Sequence, residues 1–284
     1  MEQREGYAPG WSDDVLSMMG RRKAGDRAAF VLPFLAHAAR LVDVGCGPGS
    51  ITAGLAQAAP TVSVLGVDRE DSQVALAREG ARAAGATNVE FEQGSAYDLP
   101  VADRNVDVVF AHAVFEHLAD PVRALVEFGR VLRPGGVVAV SSSDWSHAQL
   151  DPFDEEVEQA LEGHYLLRRR AGGDPFMGSV LAGLVADAGF VDVVAQRADR
   201  VDMAYDELAR YVGARVHAAL DDSAPDATPA DLEQLQRAAQ AAQRWASRRG
   251  RFTQCWVEVT ARWPLRTGAP PSPAPTPPAP TRRR

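Results

Sequence analysis

The stretch Leu41-Val42-Asp43-Val44-Gly45-Cys46-Gly47-Pro48-Gly49-Ser50 is an apolar run that enters a glycine turn and continues into helical periodicity. Gly45, Gly47 and Gly49 leave no Cβ between the backbone and a ligand, and the following helix offers N–H groups at its start. Cys46 sits inside the turn. A dinucleotide site of the G-x-G-x-x-G type wants glycine at the sixth position, whereas Ser50 stands there and glycine falls at the fifth. Asp43, two residues before the turn, would oppose a pyrophosphate and attract a cationic ligand. A second apolar run ends at Asp68, about 20 residues on, where a carboxylate can accept two hydrogen bonds from a ribose diol. Arg69 follows it and joins the same candidate set. His112 and His117 come after the fourth apolar run, as imidazoles able to take up a proton beside whatever is bound.

These residues must be positioned by alternating strands and helices. Short apolar runs at 41–45, 61–67, 89–92, 106–110 and 137–141, then 191–196 and 252–261, read as strands. Helical periodicity at 51–58, 73–84 and 121–132 supplies the crossovers of a parallel sheet. Asp71 or Ser72 can cap the second of these helices, and Asp120 before Pro121 starts the third. Arg133-Pro134-Gly135-Gly136 should stop it and turn the chain into the fifth strand. Residues 176–184, after Asp174-Pro175, read as the helix before strand six. The last two strands stand about 55 residues apart and enclose two helical patterns, the second opening at Thr228-Pro229-Ala230-Asp231 like a capping box. Together with residues 1–30 and roughly 145–188, these helices can cover the carboxyl edge of the sheet, where open α/β folds bind ligands.

The division that follows is an N-terminal helical cap over 1–30, a cofactor-binding core over 31–198, a helical lid over 199–250 and the final strand over 251–267. Residues 268–284 form a proline- and arginine-rich tail, too dense in proline for helix or sheet.

With 284 residues and 46% hydrophobic content the chain can bury a sizeable core. A net charge of −8 disfavours a surface that neutralises nucleic-acid phosphates. Two cysteines, Cys46 and Cys255, suggest neither a disulfide framework nor a metal site. The start of the chain carries no apolar leader core, and no stretch approaches the roughly 18 consecutive apolar residues of a bilayer span. The expectation is a cytoplasmic protein with no membrane partner and no metal.

The glycine loop is followed in order by Gly66-Val67-Asp68, Gly94-Ser95-Ala96-Tyr97-Asp98-Leu99-Pro100, Asp107-Val108-Val109, Glu116-His117-Leu118 and Leu132-Arg133-Pro134-Gly135-Gly136. This series resembles the class I methyltransferases of the ubiquinone/menaquinone-biosynthesis (type 11) family, which use S-adenosylmethionine (SAM). The resemblance implies an α/β, Rossmann-like fold: a seven-stranded, mostly parallel sheet with an antiparallel last strand, helices on both faces and helical lid elements. It also implies that Gly45, Gly47 and Gly49 lie near the methionine part of SAM, Asp68 on the ribose, and Ser95 and Ala96 along the adenine. The family often has an acid where this chain has Ser95, so a serine hydroxyl or a backbone carbonyl would have to receive the adenine amine. His112 falls where the family abuts the cofactor. Tyr7-Ala8-Pro9-Gly10-Trp11 and residues 15–24 look like the N-terminal cap of natural-product members, which makes Tyr7 and Arg22 candidates for the methionine carboxylate.

Methyl transfer from a sulfonium is an in-line displacement in which orientation alone supplies roughly 7 to 11 kcal/mol. A general base adds roughly 10² to 10⁴ in rate where the acceptor must lose a proton. His117 is the candidate base, against the competing reading that Glu116-His117 only ties its loop to the next helix. His112 is the candidate residue beside the reacting groups, and His147, His164, Tyr165 and Asp144 lie near the expected lid. The expected acceptor is a small organic molecule, most readily a specialised metabolite, with a quinone-pathway carbon as runner-up. An NAD(P)-dependent oxidoreductase and a non-catalytic SAM-binding module are the rivals. Arsenite methylation is disfavoured, because it needs thiolates and Cys46 is committed to the loop. The sequence is compatible with a homodimer.

Overall fold

The computed structural model describes residue 20, residues 22–221 and residues 227–265. Tyr7, most of the expected cap and the expected tail lie outside them.

Two short helices, α1 (Ala24–Arg27) and α2 (Leu32–Leu35), lead into β1 (Arg40–Val44). Then come α3 (Ser50–Ala58), β2 (Ser63–Asp68), α4 (Asp71–Ala83), β3 (Val89–Gln93) and β4 (Val106–His112). A single 3-10 turn, Phe115–His117, precedes α5 (Pro121–Val131), which runs directly into β5 (Leu132–Asp151). The chain finishes with α6 (Glu155–Arg170), α7 (Met177–Asp187), β6 (Val191–Arg200), α8 (Tyr205–Asp221), α9 (Pro229–Trp245) and β7 (Arg251–Arg262).

The seven strands form one sheet in the order β3-β2-β1-β4-β5-β7-β6. β1 to β5 pair in parallel, and β7 inserts antiparallel between β5 and β6. The expected architecture, antiparallel last strand included, is the one found.

Both faces of the central strands are buried, as their near-continuous apolar runs require. Val42, Val44, Val109, Ala111, Val138 and Val140 point to one face, where Leu125 and Phe128 of α5 and Leu181 of α7 complete the core. Leu41, Val64, Val108, Phe110 and Ala139 point to the other, against Ala28, Val31 and Leu55. This is the two-residue alternation of a strand, with an apolar side chain on both sides. Fully burying residues such as Phe110 and Phe128 stabilises the fold by ~1.5–3 kcal/mol each.

Two expectations change at β5. Arg133-Pro134-Gly135-Gly136 does not end the helix; α5 stops at Val131 and the four residues lie within β5 as an irregularity. Val106 pairs with Leu132 while Val108 already pairs with Val137, so three extra residues are accommodated where Gly135 takes φ +80°. At its other end β5 continues past Ser141 to Asp151, because the twelve residues of β7 supply partners, from Ser142↔Val257 to Asp151↔Arg251. The expected helix over 176–184 runs from Met177 to Asp187.

A second apolar cluster lies away from the sheet core. Val157 and Leu161 of α6, Tyr205, Leu208 and Val212 of α8, and Leu235, Ala238 and Trp245 of α9 pack with Phe252. Close helix approach is possible because Gly163 faces Ala238, where an added Cβ would lie 2.3 Å from the alanine methyl. α9 opens with the expected capping box: Thr228 Oγ1 accepts from Asp231 N, and the Asp231 carboxylate accepts from Thr228 N. Helices α6, α8 and α9 therefore form a layer whose inner side meets the extended ends of β5 and β7.

Candidate functional site

Gly45, Asp68 and His112 stand at the carboxyl ends of β1, β2 and β4, three adjacent strands on either side of the point where strand order reverses. Such a switch point leaves a crevice for a ligand. The Gly45 and Cys46 N–H groups both donate to Val67 O, at 2.7 and 3.0 Å, which ties the glycine turn to the end of β2. Gly45 takes φ +71°, and a Cβ on it would meet Val114 Cγ2 at 2.4 Å. Both facts require glycine. Gly47 N donates to Asp68 Oδ2 at 2.8 Å and Glu70 N donates to Oδ1 at 3.0 Å, so the Asp68 carboxylate is aimed before any ligand arrives.

A cavity over this turn is lined by Arg22, Gly45, Cys46, Asp68, Arg69, Ser95, Ala96, His112 and His117, all of them residues singled out from the sequence. Asp43, Gly47 and Gly49 shape the loop from behind the wall. Asp43 is buried and accepts from Thr52 Oγ1 at 2.6 Å. Burial, opposed by that hydrogen bond, pushes its carboxyl up to about 7. It is therefore partly protonated at neutral pH rather than the full anion its position suggested. Burial raises Asp68 as well, and pushes the Cys46 thiol well up, leaving it protonated. Ser95 Oγ accepts from Tyr97 N at 3.1 Å, and Ser95 O from Asp98 N at 3.1 Å, so both oxygens of Ser95 already serve its turn.

Sequence reasoning missed Tyr97, Ala113, Val114 and Leu118 in the same wall. Ala113 takes φ +59°, a left-handed conformation that costs a non-glycine residue on the order of 1–3 kcal/mol and collects at functional sites. Its N–H donates to Ser141 O at 2.9 Å, which holds the kink between His112 and Val114.

Beside this cavity lies a second one, sharing Arg22, Ala113 and His117 with it. Its other walls include Trp145, His164, Arg168, Tyr211, Phe252 and Trp256, from β5, α6, α8 and β7. Of the lid candidates only His164 reaches it. His147 is exposed and bonded through Nδ1 to Asp144 Oδ2 at 2.8 Å, and Tyr165 packs on Trp145 and Phe176. Arg168, Tyr211 and Trp256 carry no motif, and an arginine in the run Arg168-Arg169-Arg170 reads as solvated surface.

His112 is buried, stacked on Trp256, and neither ring nitrogen has a hydrogen-bond partner among the described residues. Burial, then Arg22, Arg27 and Arg200, hold its pKa well below the ordinary histidine range. His117 is lowered likewise by burial, then Arg168, and its Nε2 lies 3.4 Å from Arg168 Nη1. Both imidazoles are neutral at pH 7.

A donor set of this kind fits SAM. Asp68 is an acceptor for hydroxyls, Arg22 a cation for a carboxylate, and His112 a buried ring with open nitrogens. Among the described residues no group of three or more His, Cys, Asp or Glu is arranged to hold a metal ion, and no helix is long and apolar enough to cross a membrane.

Residues 35–172 match a family model described as a methyltransferase domain. An uncharacterized methyltransferase of Schizosaccharomyces pombe is 33% identical over 191 residues, spanning 65% of this chain and 68% of that protein. A probable methyltransferase, ltbC, of Aspergillus luteorubrus is 31% identical over 212 residues, spanning 67% and 73%. Among solved structures, the YcgJ protein of Bacillus subtilis superposes with a TM-score of 0.57 at 19% identity, over 83% of this chain and 97% of that one, a likeness of fold.

Proposed function

Because the chain belongs to the methyltransferase-domain family and is a SAM-dependent methyltransferase, we propose that it methylates a small organic acceptor, a specialised metabolite, bound in the second cavity. The observation that carries this reading is the shared wall: Arg22, Ala113 and His117 border both cavities, so a donor in one and an acceptor in the other meet without crossing solvent.

Bound SAM supplies a methyl group on a sulfonium, already activated for in-line displacement. Asp68 would hold the ribose hydroxyls, the Gly45 turn the methionine part, and Arg22 its carboxylate, with Arg69, Ser95 and Ala96 along the adenosine. Tyr7 belongs to the same reading as a second group for the carboxylate. His112, with its ring fixed by Trp256, would orient the reacting groups. His117 would take the proton of an acceptor that must lose one. The helices over 199–250 act in this reading as a lid, with 1–30 as a cap, over a core of 31–198 completed by 251–267. The enzyme is taken as cytoplasmic. A homodimer belongs to the same reading.

The test is incubation with methyl-labelled SAM and a small-molecule extract of the producing cell, split from protein and nucleic acid. Label should pass to the small-molecule fraction, and His117→Ala should cut the turnover by about 10² or more. Label appearing only in protein or nucleic acid would overturn the reading.

A further inference from the structure

Arg168 is buried to 6% exposure in the last turn of α6, yet no carboxylate pairs with it among the described residues. Its guanidinium contacts His117 Nε2 at 3.4 Å, and its Nε is buried with no hydrogen-bond partner. Its neighbours on the helix are treated differently: Arg170 pairs with Asp231 at 2.7 Å. A buried charge left without a counter-ion costs several kcal/mol, so a guanidinium in this position calls for an anion.

The carboxylates of the same cavity are engaged elsewhere. Glu116 accepts from Ser142 Oγ at 2.6 Å and Ser143 Oγ at 3.1 Å, turned towards β5. Asp202 is held by Arg27 and accepts from Trp256 Nε1 at 3.1 Å. Asp26 is exposed at the rim. Beside Arg168, His164 is 3% exposed and neither of its ring nitrogens has a partner. Burial and then Arg168 hold it neutral, which leaves one N–H to donate and no positive charge to compete.

We propose, resting on the acceptor cavity of the preceding reading, that the acceptor is an organic carboxylate. Its carboxylate sits on Arg168 with help from the His164 N–H, and its flat unsaturated body lies against Trp145, Tyr211 and Phe252. Arg168 presents fork geometry suited to two carboxylate oxygens. The aromatic walls favour a planar body over a saturated chain. Arg22 stays with the cofactor's own carboxylate, so two anions meet two separate guanidiniums.

The probes are trans-cinnamate and 4-hydroxybenzoate with their primary amides, titrated calorimetrically into the protein saturated with S-adenosylhomocysteine. Each acid should bind about tenfold or more tighter than its amide, the ratio expected for a charge-assisted hydrogen-bond pair. Arg168→Gln should erase that preference and Arg168→Lys retain part of it, with S-adenosylhomocysteine affinity changed less than about threefold. An amide that binds as well as its acid, an acid that fails to bind, or a preference that survives Arg168→Gln would each overturn the proposal. Should Arg168→Gln fail to fold, the acid-to-amide ratio of the unaltered protein decides alone. The methyl-transfer reading fails separately, by label that never reaches a small molecule, whatever the acids do.

Discussion

The ring of His112 lies on that of Trp256, with centroids 4.6 Å apart and planes inclined by 29°. The pair joins the end of β4 to the last strand of the chain and forms the partition between the two cavities, His112 on the cofactor side and Trp256 on the other. Arg22 and Arg27 each lie 5.8 Å from the Trp256 ring centre, so the indole is also a platform for the cations above the site.

Removing that platform should separate packing from polar contact. Trp256→Ala should cost roughly 3–5 kcal/mol of stability, as for a buried aromatic, and weaken cofactor binding by freeing His112. Trp256→Phe keeps a ring under His112 and loses the hydrogen bond to Asp202, and should cost about 1 kcal/mol. Denaturant unfolding of the two variants checks this, and equal losses would contradict it.

Gly45→Ala places a Cβ at φ +71° and 2.4 Å from Val114 Cγ2. The left-handed conformation alone costs about 1–2 kcal/mol. The turn would move off Val67, so cofactor affinity should fall more than stability does. Thermal unfolding with and without S-adenosylhomocysteine reads both, and a variant stabilised by the ligand as much as the parent would contradict the geometry.

The parts of the site that rest on local backbone were legible in the sequence, because the Gly45 turn and Asp68 at the end of β2 are set by residues a few positions apart. Nine of the predicted site residues line one cavity. What escaped depends on distant partners. Ser142, Ser143 and Asp144 carry no apolar run, and they are strand only because β7 pairs with them. Arg168 sits in a run of three arginines, and only the packing of α6 against α8 and α9 buries it. Trp256 lies between Cys255 and Val257 in a run that reads only as a strand, and nothing local shows what the indole would cover. Asp43 was legible as a position and misjudged as a charge, since its burial raises its pKa to about 7.

Stability should depend on the buried histidines. His112, His117 and His164 all have folded-state pKa values held well below 6.5. Unfolding therefore takes up protons below pH 6.5, and stability present above that value is lost as pH falls. Asp43 acts in the opposite sense: its folded value is raised to about 7 from 3.8, so between those limits unfolding releases its proton, and its contribution is lost as pH rises. Asp68 shares that sign. The histidines outnumber the acids, so stability should fall from pH 6.5 to 5, by about 1.4 kcal/mol per pH unit for each net proton. His164→Gln should flatten the fall and Asp43→Asn should steepen it. Chemical denaturation across this range would contradict the account if stability were level or the two variants behaved alike.

The measurement that bears most directly on the central claim is calorimetric titration of S-adenosylhomocysteine into the unaltered protein and into Asp68→Ala. Asp68 is held by the Gly47 and Glu70 N–H groups with its carboxylate facing the cavity. Each hydrogen bond it accepts from a ribose hydroxyl is worth roughly 1.5 to 3 kcal/mol. Binding to the unaltered protein with at least about tenfold loss in Asp68→Ala is the predicted result. Equal affinity for the two proteins, or no binding to either, would contradict it.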